Sequence, residues 1–189
     1  MTEEKATGLR ADALRNRRLV LAAAHRLFAE RGIDVTLDDI GREAGVGKGT
    51  LYRNFPSRDH LYAAVSLERV TELHDRAVEL SGANDPWEAL VGWLGDFDRS
   101  AGRYRGLSAR VAEGLGREDS AIAQACHPMQ HEAATLLARA QAAGRVDPDL
   151  TILQLLTLVS GLPDDMRTTD GASLLLPVVL RGIRTAPAR

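Results

Sequence analysis

Apolar residues along this chain recur mostly at spacings of three and four, the period of an amphipathic helix. No run of β-branched residues alternates as a half-buried strand would. The pattern predicts an all-α fold of about nine helices. A polar stretch over 1–11 is expected to stay outside them. The first helix covers about 11–31, with Val20, Leu21, Ala24, Leu27 and Phe28 on its buried stripe and Gly32 just past its end. Two short helices follow near 36–44 and 47–55, and a long one over 57–80 begins at Ser57. SGANDP at 81–86 is the clearest break in the chain. Beyond it, helices are expected over 87–100, 104–115, 119–143, 149–161 and 173–184. Glycines weaken the second of these, and Pro128 should kink or break the third.

The two short helices carry the strongest local signature. Thr36 is a good N-cap, and Asp39 stands where a capping box places its acidic partner. Asp38 and Asp39 fall in the first turn, where the helix dipole favours negative charge. Leu37, Ile40 and Ala44 share one face, and Gly45 can take the positive φ that ends a helix at C′. Val46 can plug the angle between the helices, and Pro56 closes the second one. Two helices joined by a glycine-containing turn outline a helix-turn-helix.

The second of these helices bears the chemistry. Leu51 and Phe55, four apart, point inward, so Lys48, Tyr52, Arg53 and Asn54 face outward or sideways. Gly47 and Gly49 keep its N-terminus slim, and the free N–H groups there suit phosphate. Lys48 can reach a base edge or a phosphate. Thr50 and the Tyr52 hydroxyl are phosphate donors, and Asn54 can do either. Two glycines in a short helix that touches nothing would each cost about 0.5–1 kcal/mol relative to alanine, which favours duplex DNA as the partner.

Residues 16–62 resemble the DNA-binding domain of the tetracycline-repressor (TetR) family of bacterial transcription regulators. The likeness rests on Val20, Leu21, Ala23, Ala24, Leu27, Phe28 and Gly32, then Thr36, Leu37, Ile40, Ala44, Gly45 and Val46. It continues through Gly49, Thr50, Leu51, Tyr52, Phe55, Pro56, Arg58 and Leu61. It covers about a quarter of the chain. Gly41 stands where the family usually has Ala, which should loosen the first helix of the motif. Asn54 stands where the family usually has His, which bears on the operator read. The resemblance implies a DNA-binding set of Thr36, Gly47, Lys48, Gly49, Thr50, Tyr52, Arg53, Asn54 and Arg58. Arg58 opposes the dipole of its own helix, which phosphate nearby would explain. Arg10, Arg15, Arg17 and Arg18 can reach along a DNA backbone or form a solvated arm.

The division that follows is a helix-turn-helix domain with a polar arm over 1–62 and a helical effector-binding and dimerisation domain over 63–189. The late helices are apolar beyond what one side of a core needs. Leu150, Leu153 and Leu156 lie in one, and Leu174, Val178 and Ile183 in the last. A two-fold partner would cover them, and TetR-like proteins pair their last two long helices in this way. A homodimer would also set two recognition helices on half-sites about 34–36 Å apart. The family places a ligand pocket in the middle helices. The candidates are Trp93, Phe97, Tyr104, Leu107, Val111, Cys126, Met129 and Leu136, which suit a small, mostly apolar effector with a few polar anchors.

Composition narrows the picture. At 189 residues the chain can form one domain or two small ones, and 44% hydrophobic content supports a core. Net charge is −2, so no basic coat envelops the molecule; residues 1–62 carry a net +2 and the remainder −4. A DNA contact must therefore be a local face. No secretory leader or membrane span is evident, and Cys126 is the single cysteine, which fits a reducing cytoplasm. His127 and His131 have a spacing that metals use, but no H-E-x-x-H or C-x-x-C pattern supports a metal site, and no cofactor is expected. The five histidines pair with no Ser or Cys nucleophile, so an enzyme is not expected. The expected function is a ligand-responsive, dimeric transcription regulator, a repressor by family analogy, released from a palindromic operator by a small molecule. The alternative is a helical interaction module that does not bind DNA.

Overall fold

In the computed structural model, the chain is described over residues 2–104, 106–117 and 119–185, with side chains described for all of these but 2–10 and 108. The secondary structure there is helical: α1 (Thr2–Arg31), α2 (Leu37–Glu43), α3 (Lys48–Asn54), α4 (Arg58–Leu80), α5 (Pro86–Ala101), α6 (Leu107–Leu115), α7 (Ala121–Ala142), α8 (Ile152–Ser160) and α9 (Leu176–Ile183), with one 3₁₀ turn at Asp164–Met166. The all-α plan holds, with two isolated antiparallel bridges, Val146 to Arg184 and Arg167 to Ser173.

Helices α1 to α3 and the start of α4 pack as a head around Val20, Ala24, Phe28, Ile40, Leu51 and Phe55, each at most 1% exposed. The local rules place α2 closely. The Thr36 hydroxyl oxygen accepts from the Asp39 N–H at 3.1 Å, while its own proton goes to the Asp39 carboxylate at 2.6 Å. Asp39 thus closes on the hydroxyl, where a longer Glu would reach the backbone N–H. Gly45 has φ +65° and completes a Schellman turn, with Val46 N–H donating to Gly41 at 2.9 Å and Gly45 N–H to Arg42 at 3.2 Å. Gly41 is buried, and a Cβ there would lie 2.8 Å from a Leu51 methyl. The missing side chain lets α3 close on α2, so the residue serves packing rather than only loosening its helix.

The rest of the chain is built on α4 and α7, which make the most extensive helix pairing, with α5, α6 and α8 around them. Trp93 stacks on Phe97 with centroids 5.6 Å apart and donates its indole N–H to the Leu73 carbonyl at 2.8 Å. Arg139 donates to the carbonyls of Leu80 and Ala83, tying the end of α4 to α7.

Several boundaries depart from the sequence expectation. Helix α1 starts at Thr2, not near residue 11; TEEKATGLRADAL is polar but rich in good helix formers, with acidic residues in the first turn. Helix α7 runs unbroken through Pro128, with Cys126 and Met129 buried on either side of it in sequence. Helix α8 starts late because Thr151 and Gln154 form a full capping box. Residues 173–175 form a turn ahead of α9, since Leu176 begins the helix with Pro177 in its first turn. That turn is pinned by a buried ion pair: Arg167 Nη1 lies 2.9 Å from Asp98 Oδ1, and Asp98 Oδ2 accepts from Ser173 N–H at 2.6 Å.

Candidate nucleic-acid interface and the cavity behind it

Helix α3 is held by Leu51, 1% exposed, and by Phe55 just past its end, fully buried. Burying these two turns the opposite face outward. Gly47, Lys48, Gly49, Tyr52 and Arg53 are exposed there, and Thr50 and Asn54 are half-buried. Thr36 is exposed at the start of α2. Lys48, Tyr52 and Arg53 thus share one surface, as the sequence predicts. Asn54 turns back, donating its amide to the Thr50 carbonyl at 2.9 Å, and Arg53 donates to the Thr50 hydroxyl at 3.1 Å.

Asp38 organises this face, a role its sequence position does not reveal. Its carboxylate takes the Lys48 ammonium at 2.8 Å and the Tyr52 hydroxyl at 3.1 Å. The hydrogen bond from Lys48 holds the Asp38 carboxyl below its usual range and, in return, raises Lys48. Asp38 precedes Lys48 by ten residues and Tyr52 by fourteen, so only the α2–α3 crossing brings them together.

Arg58 corrects the sequence reading. Its guanidinium donates to the carbonyls of Ile33 and Val35 at 2.7 and 3.3 Å and to the Tyr62 hydroxyl at 3.0 Å. It is half-buried and satisfies the α1–α2 turn, so these donors are not aimed at phosphate. Of the basic residues in the arm, Arg17 lies against α3, 4.8 Å over the Phe55 ring, with Nη1 3.5 Å from the Asn54 carbonyl. Arg15 and Arg18 are exposed, while the side chain of Arg10 lies outside the described residues.

Behind the head is a slot of about 60 Å³. Six of the eight pocket candidates line it: Phe97, Tyr104, Leu107, Val111, Cys126 and Met129. Trp93 and Leu136 do not; both are fully buried in the core. The sequence reading missed the contribution of α4, including Val65, Arg69 and Leu73, and that of His25 from α1. The i, i+4, i+8 spacing of Val65, Arg69 and Leu73 marks a shared face, but nothing local assigns it to a cavity. His25 Nδ1 lies 2.6 Å from the Tyr104 hydroxyl, the polar end of the slot. Burial, aided by the Arg103 charge, lowers the His25 pKa. Burial pushes the Cys126 thiol up to about 12, so it is an inert apolar wall rather than a reactive thiolate.

Beside the slot lies a cleft of about 630 Å³ between α4, α5 and the loop after α8. Both cavities are lined by Arg69, Leu73, Ser100 and Arg103. Among the described residues, no group of three or more His, Cys, Asp or Glu side chains could hold a metal ion. His127 and His131 are exposed.

The candidate interface residues split by burial. Leu153, Leu174 and Val178 are 41, 58 and 53% exposed. Leu150 and Ile183 are half-buried. Leu156 is fully buried within its own chain and cannot meet a partner. Leu158, on the same helix, is 47% exposed instead.

A small three-helix head with a short exposed recognition helix, set on a helical body, defines a helix-turn-helix DNA-binding regulator. Residues 20–65 match the family of bacterial regulatory proteins named for tetR, and residues 85–185 match the C-terminal domain of SbtR-like transcriptional regulators. The chain belongs to the TetR family of transcription regulators. It is 38% identical to a TetR regulatory protein from Mycobacterium vanbaalenii, over 94% of this chain and 99% of that one, with a TM-score of 0.49. It is 33% identical to a TetR transcriptional regulator from Streptomyces coelicolor, over 90% and 99% of the two chains, with a TM-score of 0.53. An HTH-type transcriptional regulator of Staphylococcus aureus (strain bovine RF122 / ET3-1) shares 41% identity over 54 residues, 28% of this chain; that stretch spans only 29% of the curated relative.

Proposed function

We propose that this regulator binds a palindromic operator as a homodimer, represses transcription there, and is released by a small molecule taken up behind the head. The observation that carries the DNA reading is the exposed α3 face. Lys48, Tyr52 and Arg53 project from a helix whose opposite side is locked by Leu51 and Phe55. Thr36, Gly47, Gly49, Thr50 and Asn54 complete the contact surface, with Thr50 and Asn54 acting at its edge. Arg58 supports this surface from below. The functional division at about residue 62 falls within α4, which leaves the head and continues without a break into the body. That helix is the mechanical link between the two parts.

The homodimer is supported by Leu153, Leu158, Leu174 and Val178, large apolar side chains left open at the end of the chain. The effector reading is supported by the slot, which has an apolar lining and a polar end at His25 and Tyr104. A slot of about 60 Å³ is well below the ~300–1,000 Å³ of ordinary ligand sites, so binding must widen it or extend into the cleft. A ligand that favours the widened state shifts the population away from the DNA-competent one. No helix among the described residues is long and apolar enough to cross a membrane, and the regulator acts in the cytoplasm, where its operator is.

Selection of bound fragments from genomic DNA by the purified protein tests the reading. The expected result is a palindrome bound by two protomers, with affinity falling steeply with salt. Sequence-independent binding only, or binding by a monomer, refutes it.

A further inference from the structure

We infer that the effector is an amphipathic carboxylate, its apolar body in the slot and its carboxylate on Arg103 at the mouth. The inference rests on the slot being the effector site and adds the chemistry of its occupant.

The argument begins with continuity. The slot and the larger cleft adjoin, because Arg69, Leu73, Ser100 and Arg103 line both. A molecule filling both has one apolar end and one polar end. The slot's interior is apolar: Val65, Phe97, Leu107, Val111 and Met129. Burial keeps Cys126 protonated, and the carboxylate in the lining, Glu68, is exposed at the rim.

The charges at the rim then choose the polar end. Arg69 is held by Glu72 at 2.6 Å, Arg99 by Asp96 at 2.6 Å, and Arg76 by Glu79 and Asp96. Arg103 differs from these three. Among the described residues no carboxylate pairs with it, and its guanidinium rests 5.8 Å over the Tyr104 ring. Its charge is felt at His25, where it opposes protonation, and Glu68 on the same rim acts in the other direction. One exposed guanidinium that no described carboxylate holds, at the open end of an apolar slot, is a single-point anchor for a monoanion.

The same placement gives the occupant a route to the DNA-binding head. Tyr104 lies under Arg103, bonds His25 of α1 at 2.6 Å and packs edge-on to Phe28 of α1, centroids 6.1 Å apart. With the His25 proton on Nε2, the Tyr104 hydroxyl is the donor of that bond, and a carboxylate on Arg103 offers it a charged acceptor instead. Exchanging that bond unties α1 from the slot, and α1 carries the packing surface for α2 and α3.

The test is calorimetry on the full chain with straight-chain carboxylates from butanoate to decanoate, each beside the primary alcohol and primary amine of equal length. At the best length, the carboxylate is expected to bind about tenfold more tightly than its alcohol, the scale of one charge-assisted hydrogen bond. Arg103→Gln should erase that preference and leave alcohol affinity unchanged, while Arg99→Gln should keep it. Equal binding of alcohols or amines, no binding of any carboxylate, or a preference that survives Arg103→Gln each overturns the inference. Anisotropy of a labelled operator, read in parallel, separates the two claims. Arg103-dependent binding that leaves DNA affinity unchanged upholds the ligand class and refutes release by the effector.

Discussion

Lys48 and Asp38 meet at 2.8 Å across the helix-turn-helix, on the exposed face of α3 proposed to meet DNA. With Tyr52 donating to the other carboxylate oxygen, one acidic residue holds two of the recognition side chains in the free protein. DNA phosphate must compete with Asp38 for them. Asp38→Asn should therefore raise affinity for DNA of any sequence more than for the operator, and steepen the salt dependence by about one unit of slope. Lys48→Ala should do the reverse, weakening binding and lowering the slope by about one. Titrations of operator and scrambled duplex over a range of salt distinguish these outcomes.

The buried Asp98–Arg167 pair fixes the wall of the cleft. Side-chain exposure is 0% for Asp98 and 5% for Arg167. Arg167 Nη1 also donates to the Asp98 and Gly171 carbonyls. Asp98→Ala would remove the nearer of two carboxylates from the buried guanidinium, leaving Asp164 at 3.4 Å, and should cost about 3 kcal/mol. Urea unfolding of the variant measures this directly.

Gly102 is the close-approach point of the same wall. A Cβ there would lie 2.6 Å from the Gly171 carbonyl oxygen and 2.7 Å from Arg167 Nη1. Gly102→Ala must move backbone rather than a side-chain tip, and should destabilise by about 1–3 kcal/mol. A variant as stable as the parent would show that the loop after α8 is free to yield.

His25 makes stability depend on pH. Its folded pKa lies below the ordinary 6.5, chiefly because burial disfavours the imidazolium. Above 6.5 both folded and unfolded states are neutral there. As pH falls through 6.5 the unfolded state takes the proton first, so the stability from this site is lost on acidification, toward the lower folded value. Urea midpoints should fall between about pH 7 and about pH 5.5, and His25→Gln should flatten that part of the profile.

Cys126 should resist alkylation by iodoacetamide at mildly alkaline pH in the folded protein and react at once in urea, because burial raises its thiol to about 12. Fast labelling of the native state would show that the slot opens to solvent.

Much of the head was legible because its rules are local. Thr36, Gly45 and the Leu51–Phe55 spacing each act within a few residues, and each sits in the structure as its chemistry predicts. Arg58 misled for the same reason. Its place at a helix N-terminus suggested phosphate, but the carbonyls of Ile33 and Val35, 25 and 23 residues away in sequence, take its donors. The body was less legible. Phe97 and Trp93 lie one helical turn apart and have the same chemistry, yet one lines the slot and the other is core. Leu156 and Leu153 divide likewise into core and open surface.

The sequence by itself determined the all-helical plan, the caps of the recognition motif and the class of protein, since these follow from short-range periodicity and a motif of fixed spacing. Tertiary structure alone decided that Asp38 guards Lys48, that His25 of the head touches Tyr104 at the slot, and that Arg103 meets no carboxylate among the described residues. Those relationships join residues that no local energy brings together. They arise from how whole helices cross, and the crossing is set by the buried faces rather than by the polar groups it makes neighbours.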